Sequence, residues 1–211
     1  MLATSQRADR AANRVRNVMM SVSATEDDAS VIARSLSDSE AFATIFERHF
    51  DEIHRYLRRR YPEEADELAA EVFVAAFDAR SRYRAIGDSA RPWLYGIASN
   101  LLSKRRRQER RALRAHARSG GRRAPAEDDF ADVVHRADAE RRSRLLAAAV
   151  SRLSAEDRDT LLLYALSDLS YEEVAFALDV PIGTVRSRLA RARRRASADL
   201  AGLDREEPPD A

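Results

Sequence analysis

The sequence contains no cysteine among its 211 residues. Disulfide bonds and thiolate metal ligands are therefore excluded, which is typical of proteins that stay in a reducing compartment. No apolar run reaches the roughly 18 residues that a membrane-spanning helix needs. We therefore predict a cytoplasmic protein with no membrane insertion.

Glycine and histidine are also scarce. The six glycines form neither a phosphate-cradling loop nor a dinucleotide fingerprint. The four histidines, at positions 49, 54, 116 and 135, are not spaced i, i+4 on one helix, so they do not form a zinc-binding pair. The acids of residues 61–79 are predicted to form an exposed stripe, which lacks the burial that shifts a carboxylate pKa for acid–base catalysis. The sequence therefore predicts no metal, no cofactor and no enzymatic activity.

Charge is strongly segregated although the formal net charge is only +2. Residues 104–123 carry ten basic residues and one acid, and residues 180–196 carry six arginines and no acid. Residues 61–79 carry six acids and no basic residue. Because a phosphate backbone would repel the acidic stretch, this distribution predicts an anionic partner and a separate cationic partner.

Strand-like alternation of apolar residues is absent, so the predicted fold class is all-α, with two small helical domains joined by a flexible linker. The first domain is predicted to open with a capping box of Ser37 and Glu40. Its helices cover about 37–57, 63–80 and the region from 91. Composition and periodicity divide the chain into five segments: 1–36, predicted not to fold; 37–114, the first domain; 115–139, the linker; 140–200, the second domain; and 201–211, a tail predicted not to fold.

The second domain has the pattern of a helix-turn-helix. Leu145 and Leu146 are among the residues predicted to pack its first helix. Ser170 and Glu173 form a capping box for a later helix, and a three-residue turn, 179–181, leads into a basic helix. Apolar residues of this basic helix recur at helical spacing, so they face the core and the arginines face outward. Such a helix can enter the major groove of DNA. The alternative is a charged helix face that contacts only solvent.

Aromatic and basic residues are mixed in the first domain. Trp93 stands near Tyr83, Tyr95 and Arg91, and such a group can stack on unpaired bases and hold a strand backbone. For Trp93 alone, a place in the core of a three-helix unit is the favoured alternative. Residues 104–107 are predicted to bind nucleic acid, because an uncompensated cluster of positive charge repels itself.

Three motifs together resemble a known family. They are an acidic helix (ADELAAEVF, 65–73), an aromatic and basic helix (RPWLYGIASNLLSKRRR, 91–107) and a helix-turn-helix segment (LSYEEVAFALDVPIGTVRSRLARAR, 169–193). Over about 38–112 and 141–200 the chain resembles bacterial sigma-70 family factors of the extracytoplasmic-function (ECF) type. The resemblance implies a region 2 helical bundle that binds core RNA polymerase and opens the minus-ten element, and a region 4 helix-turn-helix that reads the minus-thirty-five element. It thus implies a sigma factor that directs promoter-specific transcription initiation, with promoter DNA and an anti-sigma factor as further partners.

The resemblance also implies roles for individual positions. Asp179 stands where the family usually has glycine in the turn, and Asp tolerates left-handed backbone angles better than most residues. Thr184 has a second interpretation as a helix-start residue without a DNA role. The implied sites are core-polymerase binding by Asp66, Glu67 and Glu71; minus-ten binding by Arg91, Trp93, Asn100, Arg105 and Arg106; and minus-thirty-five binding by Thr184, Arg186, Ser187, Arg188 and Arg191.

Two other functions are consistent with the basic helices. The first is a stand-alone helix-turn-helix transcriptional regulator that does not bind polymerase, and the acidic helix argues against it. The second is an arginine-rich protein that binds RNA nonspecifically or acts as a scaffold. That protein would bind scrambled duplexes with the same affinity as promoter sequences.

Overall fold

The computed structural model of the chain describes residues 26–118 and 145–206. These residues form eight α-helices and no β-strand, which confirms the predicted all-α fold class. None of the described helices combines the length and apolar character that a membrane crossing requires. The helices are α1 (Asp28–Arg34), α2 (Ala43–Arg58), α3 (Ala65–Ala79), α4 (Arg91–Arg118), α5 (145–151), α6 (Ala155–Ser167), α7 (Tyr171–Ala177) and α8 (Ile182–Glu206).

The N-terminal helix α1 corrects the prediction that residues 1–36 do not fold. Asp27 caps it by accepting a 2.7 Å hydrogen bond from the backbone N–H of Ser30. Val31 and Ile32 of α1 are buried in the core. A helix of seven residues is too short to show an apolar period, so the sequence pattern gave no signal. The other part of that prediction, residues 1–25, lies outside the described residues.

The first domain is built on α2, α3 and α4, which pack against one another. Its start differs from the prediction, because Asp38 and not Ser37 accepts a hydrogen bond from the backbone N–H of Glu40, at 3.3 Å. A 3-10 helix, Ser39–Phe42, then precedes α2. Each helix buries one side, as amphipathic helices of a small core do. The large aliphatic side chains that are fully buried include Ile45, Ile53 and Leu57 of α2, Leu68 and Val72 of α3, and Leu94 and Leu102 of α4.

The second domain contains the predicted helix-turn-helix, formed by α7 and α8. The capping box at the start of α7 is confirmed: Ser170 Oγ accepts from the Glu173 backbone N–H at 3.2 Å, and a Glu173 carboxylate oxygen accepts from the Ser170 backbone N–H at 2.7 Å. Asp179 in the turn has φ 51°, the left-handed conformation expected at that position. Leu146 of α5 was predicted to be a core residue, but it is 51% exposed.

Two long helices pass the segment boundaries drawn from the sequence. α4 continues to Arg118, beyond the predicted start of the linker at residue 115. α8 continues to Glu206, so the prediction that 201–211 does not fold is wrong for 201–206. Residues 119–139 and 207–211 lie outside the described residues, and for them the linker and the tail stay predictions.

The two domains are in contact, and their buried apolar residues form one continuous cluster. α4 of the first domain packs against α7 of the second. The helices approach closely at Gly96, where a Cβ atom would lie 2.9 Å from the carbonyl oxygen of Ala177. A side chain at position 96 is therefore incompatible with this approach unless one backbone moves.

Candidate polymerase-binding and nucleic-acid-binding surfaces

The acidic face of α3 points away from the core. Asp66, Glu67 and Glu71 are all exposed, because the apolar residues of α3 occupy its opposite side. Asp66 accepts a 2.8 Å hydrogen bond from Nε2 of His54 on α2, and the Asp66 side chain is 96% exposed. Val74 continues the face one turn beyond Glu71 and is 62% exposed. Exposed carboxylates beside an apolar side chain suit a cationic protein surface.

A phenylalanine of α2, which packs on a buried phenylalanine of α3, also reaches the surface beside this acidic face. Phe46 is 42% exposed, and its ring lies 4.8 Å from the ring of Phe50 and 5.0 Å from that of Phe73. The Phe50 ring stacks on His54, the partner of Asp66, at 5.6 Å. Helical periodicity predicts that Phe46 and Phe50 share the apolar face of α2 with Ile53, but it does not show how much of that face is covered. We call Phe46, Phe50 and Phe73 the phenylalanine cluster.

Trp93 lies at the start of α4, next to the loop 83–90. Its indole is half-buried, belongs to the rim of the core and packs edge to face on Tyr83, with ring centroids 4.9 Å apart. The core interpretation therefore holds for the portion of the ring that packs inward, and the role of the solvent-facing portion in base stacking stays a prediction. Asn100, almost two turns further along α4, is exposed.

A buried carboxylate anchors the junction between this loop and α4. Asp28 of α1 is 4% exposed. Four donors reach its carboxylate: Ala90 N and His49 Nε2, each at 2.7 Å, Arg48 Nη1 at 2.9 Å and Ser89 Oγ at 3.3 Å. Burial alone would raise the pKa of Asp28, but the bonds from His49, Ala90 and Arg48 lower it well below its usual value. Sequence reasoning missed this residue, because it lay in a segment predicted not to fold.

His49 is held between two carboxylates. Its Nε2 faces Asp28 and its Nδ1 lies 3.0 Å from Oε1 of Glu52, so the imidazolium form can donate to both. Burial alone would lower the pKa of His49, but the bonds to the two carboxylates raise it to about 9. Glu52 also pairs with Arg91 Nε at 2.9 Å, which ties the cluster to the first residue of α4.

The predicted minus-ten arginines all make intramolecular contacts. Arg105 pairs with Glu64 and, at 3.5 Å, with Glu109. Arg106 is only 6% exposed and pairs with Asp159 of α6, in the second domain. The Nη2 group of Arg91 donates a 2.5 Å hydrogen bond to the carbonyl oxygen of Ser167, also in the second domain. Arg91 and Arg106 thus face the domain boundary, whereas Asn100 faces solvent.

Asp159 bridges the two domains through two arginines. Arg60, at the end of α2, donates to it at 2.8 Å, in addition to the contact with Arg106. Burial would raise the pKa of Asp159, but the two guanidinium groups lower it. Two N–H groups of Arg106, on Nε and Nη1, are buried and have no hydrogen-bond acceptor among the described residues. Sequence reasoning found neither Arg60 nor Asp159, since nothing local marks a pair formed across domains.

The arginines of α8 form the second basic surface. Arg186 and Ser187 are exposed, and Thr184 and Arg188 are partly exposed in the first two turns. Thr184 donates its backbone N–H to the carbonyl of Pro181 at 2.8 Å, so it lies within the first turn, where the helix-start interpretation also fits. Arg191 is exposed but contacts both carboxylate oxygens of Asp157, at 2.8 and 3.2 Å. Side chains of this kind can reach base edges and phosphates in a major groove.

No group of three or more His, Asp or Glu residues is placed to hold a metal ion in 26–118 and 145–206. A cavity between Arg60, Val150 and Leu162 has a volume of about 10 Å³, which is space for about one water molecule.

Family comparisons match both domains. The model for Sigma-70 region 2 matches residues 45–112, and the model for Sigma-70, region 4 matches residues 143–195. The probable RNA polymerase sigma-C factor of Mycobacterium bovis is 31% identical over 145 residues, covering 64% of this chain and 69% of that protein. The RNA polymerase sigma factor HrpL of Pseudomonas syringae pv. syringae is 28% identical over 143 residues, covering 64% and 73%.

Solved structures share the fold. The sigma factor RpoE of Bartonella quintana, solved in complex with the anti-sigma factor NepR, has a TM-score of 0.56 at 21% identity, covering 76% of this chain and 96% of that one. CnrH, solved in complex with the cytosolic domain of CnrY, has a TM-score of 0.55 at 24% identity, covering 83% and 97%.

Proposed function

Because the chain belongs to the sigma-70 family of RNA polymerase sigma factors and is of the ECF type, we propose that α3 contacts core RNA polymerase and that α4 and α8 contact promoter DNA. As a sigma factor the protein directs promoter-specific transcription initiation, and a stand-alone regulator is not favoured. One observation supports these separate roles: exposed carboxylates are clustered on α3, and exposed arginines are clustered on α8. We assign region 2 to 37–114 and region 4 to 140–200.

The core-binding surface consists of Asp66, Glu67 and Glu71. These carboxylates are exposed and face away from the basic helices, so a cationic protein surface can approach without meeting like charge. Val74 and the phenylalanine cluster supply apolar area beside them. Mixed surfaces of this kind combine charge steering with apolar burial.

The minus-ten surface consists of Arg91, Trp93, Asn100, Arg105 and Arg106. The exposed part of Trp93 stacks on an unpaired base, and the arginines hold the strand backbone, so strand opening is driven by capture of unstacked bases and needs no catalysis. Nε and Nη1 of Arg106, which have no acceptor among the described residues, can donate to a phosphate oxygen once the second domain has moved away. Arg91 and Arg106 can reach a strand only after the second domain moves away from α4.

The minus-thirty-five surface consists of Thr184, Arg186, Ser187, Arg188 and Arg191. The first four lie at the N-terminal end of α8, the part of a recognition helix that contacts base edges. Arg191 must exchange Asp157 for a phosphate. Arg191 can make this exchange because its side chain is 51% exposed, although the Asp157 carboxylate that it leaves is only 13% exposed.

Further partners and the place of action follow from the same proposal. RpoE and CnrH were solved with NepR and the cytosolic domain of CnrY, and NepR is an anti-sigma factor. We extend an anti-sigma partner to this chain by analogy. The protein acts in the cytoplasm, where polymerase and promoter DNA lie, and it has no catalytic activity of its own.

Charge reversal on α3 tests the core-binding assignment. The double variant Glu67→Lys/Glu71→Lys should lose binding to core polymerase and run-off transcription, while the full chain still binds a minus-thirty-five duplex. The matched control is Glu47→Lys/Asp51→Lys, which reverses two exposed acids at the same spacing on α2. If the α3 variant still assembles with core polymerase as well as the control does, the assignment is wrong.

A further inference from the structure

Asp28 lies outside both segments that the family models match, yet it contacts the start of α4. Its carboxylate accepts from the backbone N–H of Ala90 at 2.7 Å and from Ser89 Oγ at 3.3 Å. Ser89 Oγ also lies 3.3 Å from the backbone nitrogen of Arg91, as its acceptor. Asp28 therefore caps the first turn of α4 from a different helix.

This cap satisfies a physical need of α4. The first N–H groups of a helix have no partner within the helix, and a negative charge near them is also favoured by the helix dipole. Here the acceptor is buried, so water cannot readily replace it when it is removed. Loss of the Asp28 charge would thus free the end of the loop 83–90 and the first turn of α4 together.

The position of Asp28 is itself fixed by a closed set of contacts. Arg48 and His49 of α2 hold its two carboxylate oxygens. His49 contacts Glu52, and Glu52 contacts Arg91, which brings the chain of contacts back to α4. Since Asp28, His49, Glu52 and Arg91 are each tied to at least two other residues, the junction has little freedom to move.

The residues that this junction orients belong to the proposed minus-ten surface. Arg91 is the residue next to Ala90, and Trp93 follows two positions later. Trp93 packs on Tyr83, the residue at the other end of the loop. The direction in which Trp93 and Arg91 face therefore depends on the geometry that Asp28 sets.

We propose that Asp28 is a positioning residue for promoter binding, whose carboxylate holds the loop 83–90 and the start of α4 in the conformation that presents Trp93 and Arg91 to the minus-ten strand. The proposal rests on the function proposed above and deepens it. Asp28 does not touch DNA, because it is buried. A purely structural role would instead weaken all activities of the first domain to the same extent.

The test compares Asp28→Asn with Asp27→Asn in holoenzyme assembled from the full chain. Both variants remove one negative charge, but Asp27 is exposed, and Asn is as good an N-cap for α1 as Asp. We expect Asp28→Asn to bind a single-stranded minus-ten oligonucleotide about tenfold more weakly, or about 1.4 kcal/mol. Core-polymerase affinity and minus-thirty-five duplex affinity should stay within about twofold of wild type, and Asp27→Asn should match wild type throughout.

Tryptophan fluorescence reports the same junction directly. Trp93 is the one tryptophan in the sequence, so its emission reads this site alone. Asp28→Asn should shift the emission to longer wavelength and increase quenching by acrylamide, because the indole loses its fixed packing. Unchanged emission combined with unchanged strand affinity would overturn the proposal, and so would an equal loss of strand, duplex and polymerase binding.

Two further variants separate the possible failures. If Asp28→Asn does not fold, Ser89→Ala replaces it, since that change removes one contact of the junction. It should weaken strand binding about two- to threefold, and no effect would overturn the proposal. If Trp93→Ala weakens strand binding while Asp28→Asn does not, only the positioning role is wrong. If Trp93→Ala has no effect either, the minus-ten assignment of α4 is wrong, and the positioning role fails with it.

Discussion

Replacing Asp159 by Asn should separate the two domains. The Asp159 carboxylate lies between Arg60, two residues after the end of α2, and Arg106 of α4, so it joins α6 to both parts of the first domain. Asn has nearly the same shape but no charge, so the change leaves two guanidinium groups close together without the carboxylate between them. When the domains are separated, water hydrates both guanidinium groups, so the free-energy cost of holding them together without the carboxylate disappears.

The size of the effect follows from burial. The side chains of Arg60, Arg106 and Asp159 are 5%, 7% and 13% exposed, so solvent screens their interaction weakly. Removing one member of a buried ion pair costs about 3–5 kcal/mol, and we take about 3 because the Asn oxygen can still accept a hydrogen bond. Since only the closed form bears this cost, the ratio of closed to open molecules should fall by about 100-fold.

Fluorescence energy transfer can measure the closed fraction. The chain has no cysteine, so Ser39→Cys and Ser197→Cys, both at exposed positions, accept a dye pair at defined sites. Asp159→Asn in this labelled chain should lower transfer efficiency and increase affinity for a single-stranded minus-ten oligonucleotide, because Arg106 becomes accessible. Glu156→Gln is the control, since it removes an exposed charge one turn earlier on α6.

One result would refute this reasoning. If Asp159→Asn lowers the melting temperature but leaves both transfer efficiency and strand affinity unchanged, the two domains unfold as one unit and do not separate. Arg106 would then be a structural residue and would leave the minus-ten set.

Two further predictions concern Gly96 and His49. Gly96→Ala should stabilise α4 as an isolated helix by about 1 kcal/mol. In the labelled chain it should nevertheless lower the transfer efficiency, because the new Cβ would lie 2.9 Å from the Ala177 carbonyl oxygen. An unchanged transfer efficiency would contradict the close approach of α4 and α7. The pKa of His49 is about 9 in the folded protein and about 6.5 when unfolded. The stabilisation from its contacts with Asp28 and Glu52, beside Arg48, is therefore complete below about pH 6.5 and lost as pH rises through 9. Urea unfolding at pH 6, 7.5 and 9.5 should show a fall of about 3 kcal/mol in the free energy of unfolding for wild type and a smaller fall for His49→Gln; equal falls would refute the pairing.

Features marked by neighbouring residues could be predicted from the sequence. The capping box of Ser170 and Glu173 spans four residues, and the left-handed backbone conformation in the turn depends on a single residue, Asp179. The outward position of the α8 arginines follows from the helical period. For the same reason the exposure of Glu67 and Glu71 on α3 was predictable.

Features that join distant residues could not be predicted in this way. Asp28 meets His49 and Ala90 across 21 and 62 positions, and Arg60 meets Asp159 across 99. No period or local motif marks such pairs, because each partner alone looks like an ordinary polar residue. For this reason the burial of Arg106 could not be predicted. Nothing in the basic run 104–107 indicates that one of its residues pairs with a carboxylate of the other domain.

The glycine in the second turn of α4, Gly96, also bears on how this arrangement arises and disappears in evolution. The close packing of the two domains depends on the absence of a side chain at Gly96, and a single-base codon change from glycine to alanine adds a methyl group there. Relatives with a bulkier residue at the equivalent site must hold their halves in another way, whatever their overall similarity. The compact form is therefore a trait that individual lineages can gain or lose in one step, and a survey of that one alignment column would show which of them have it.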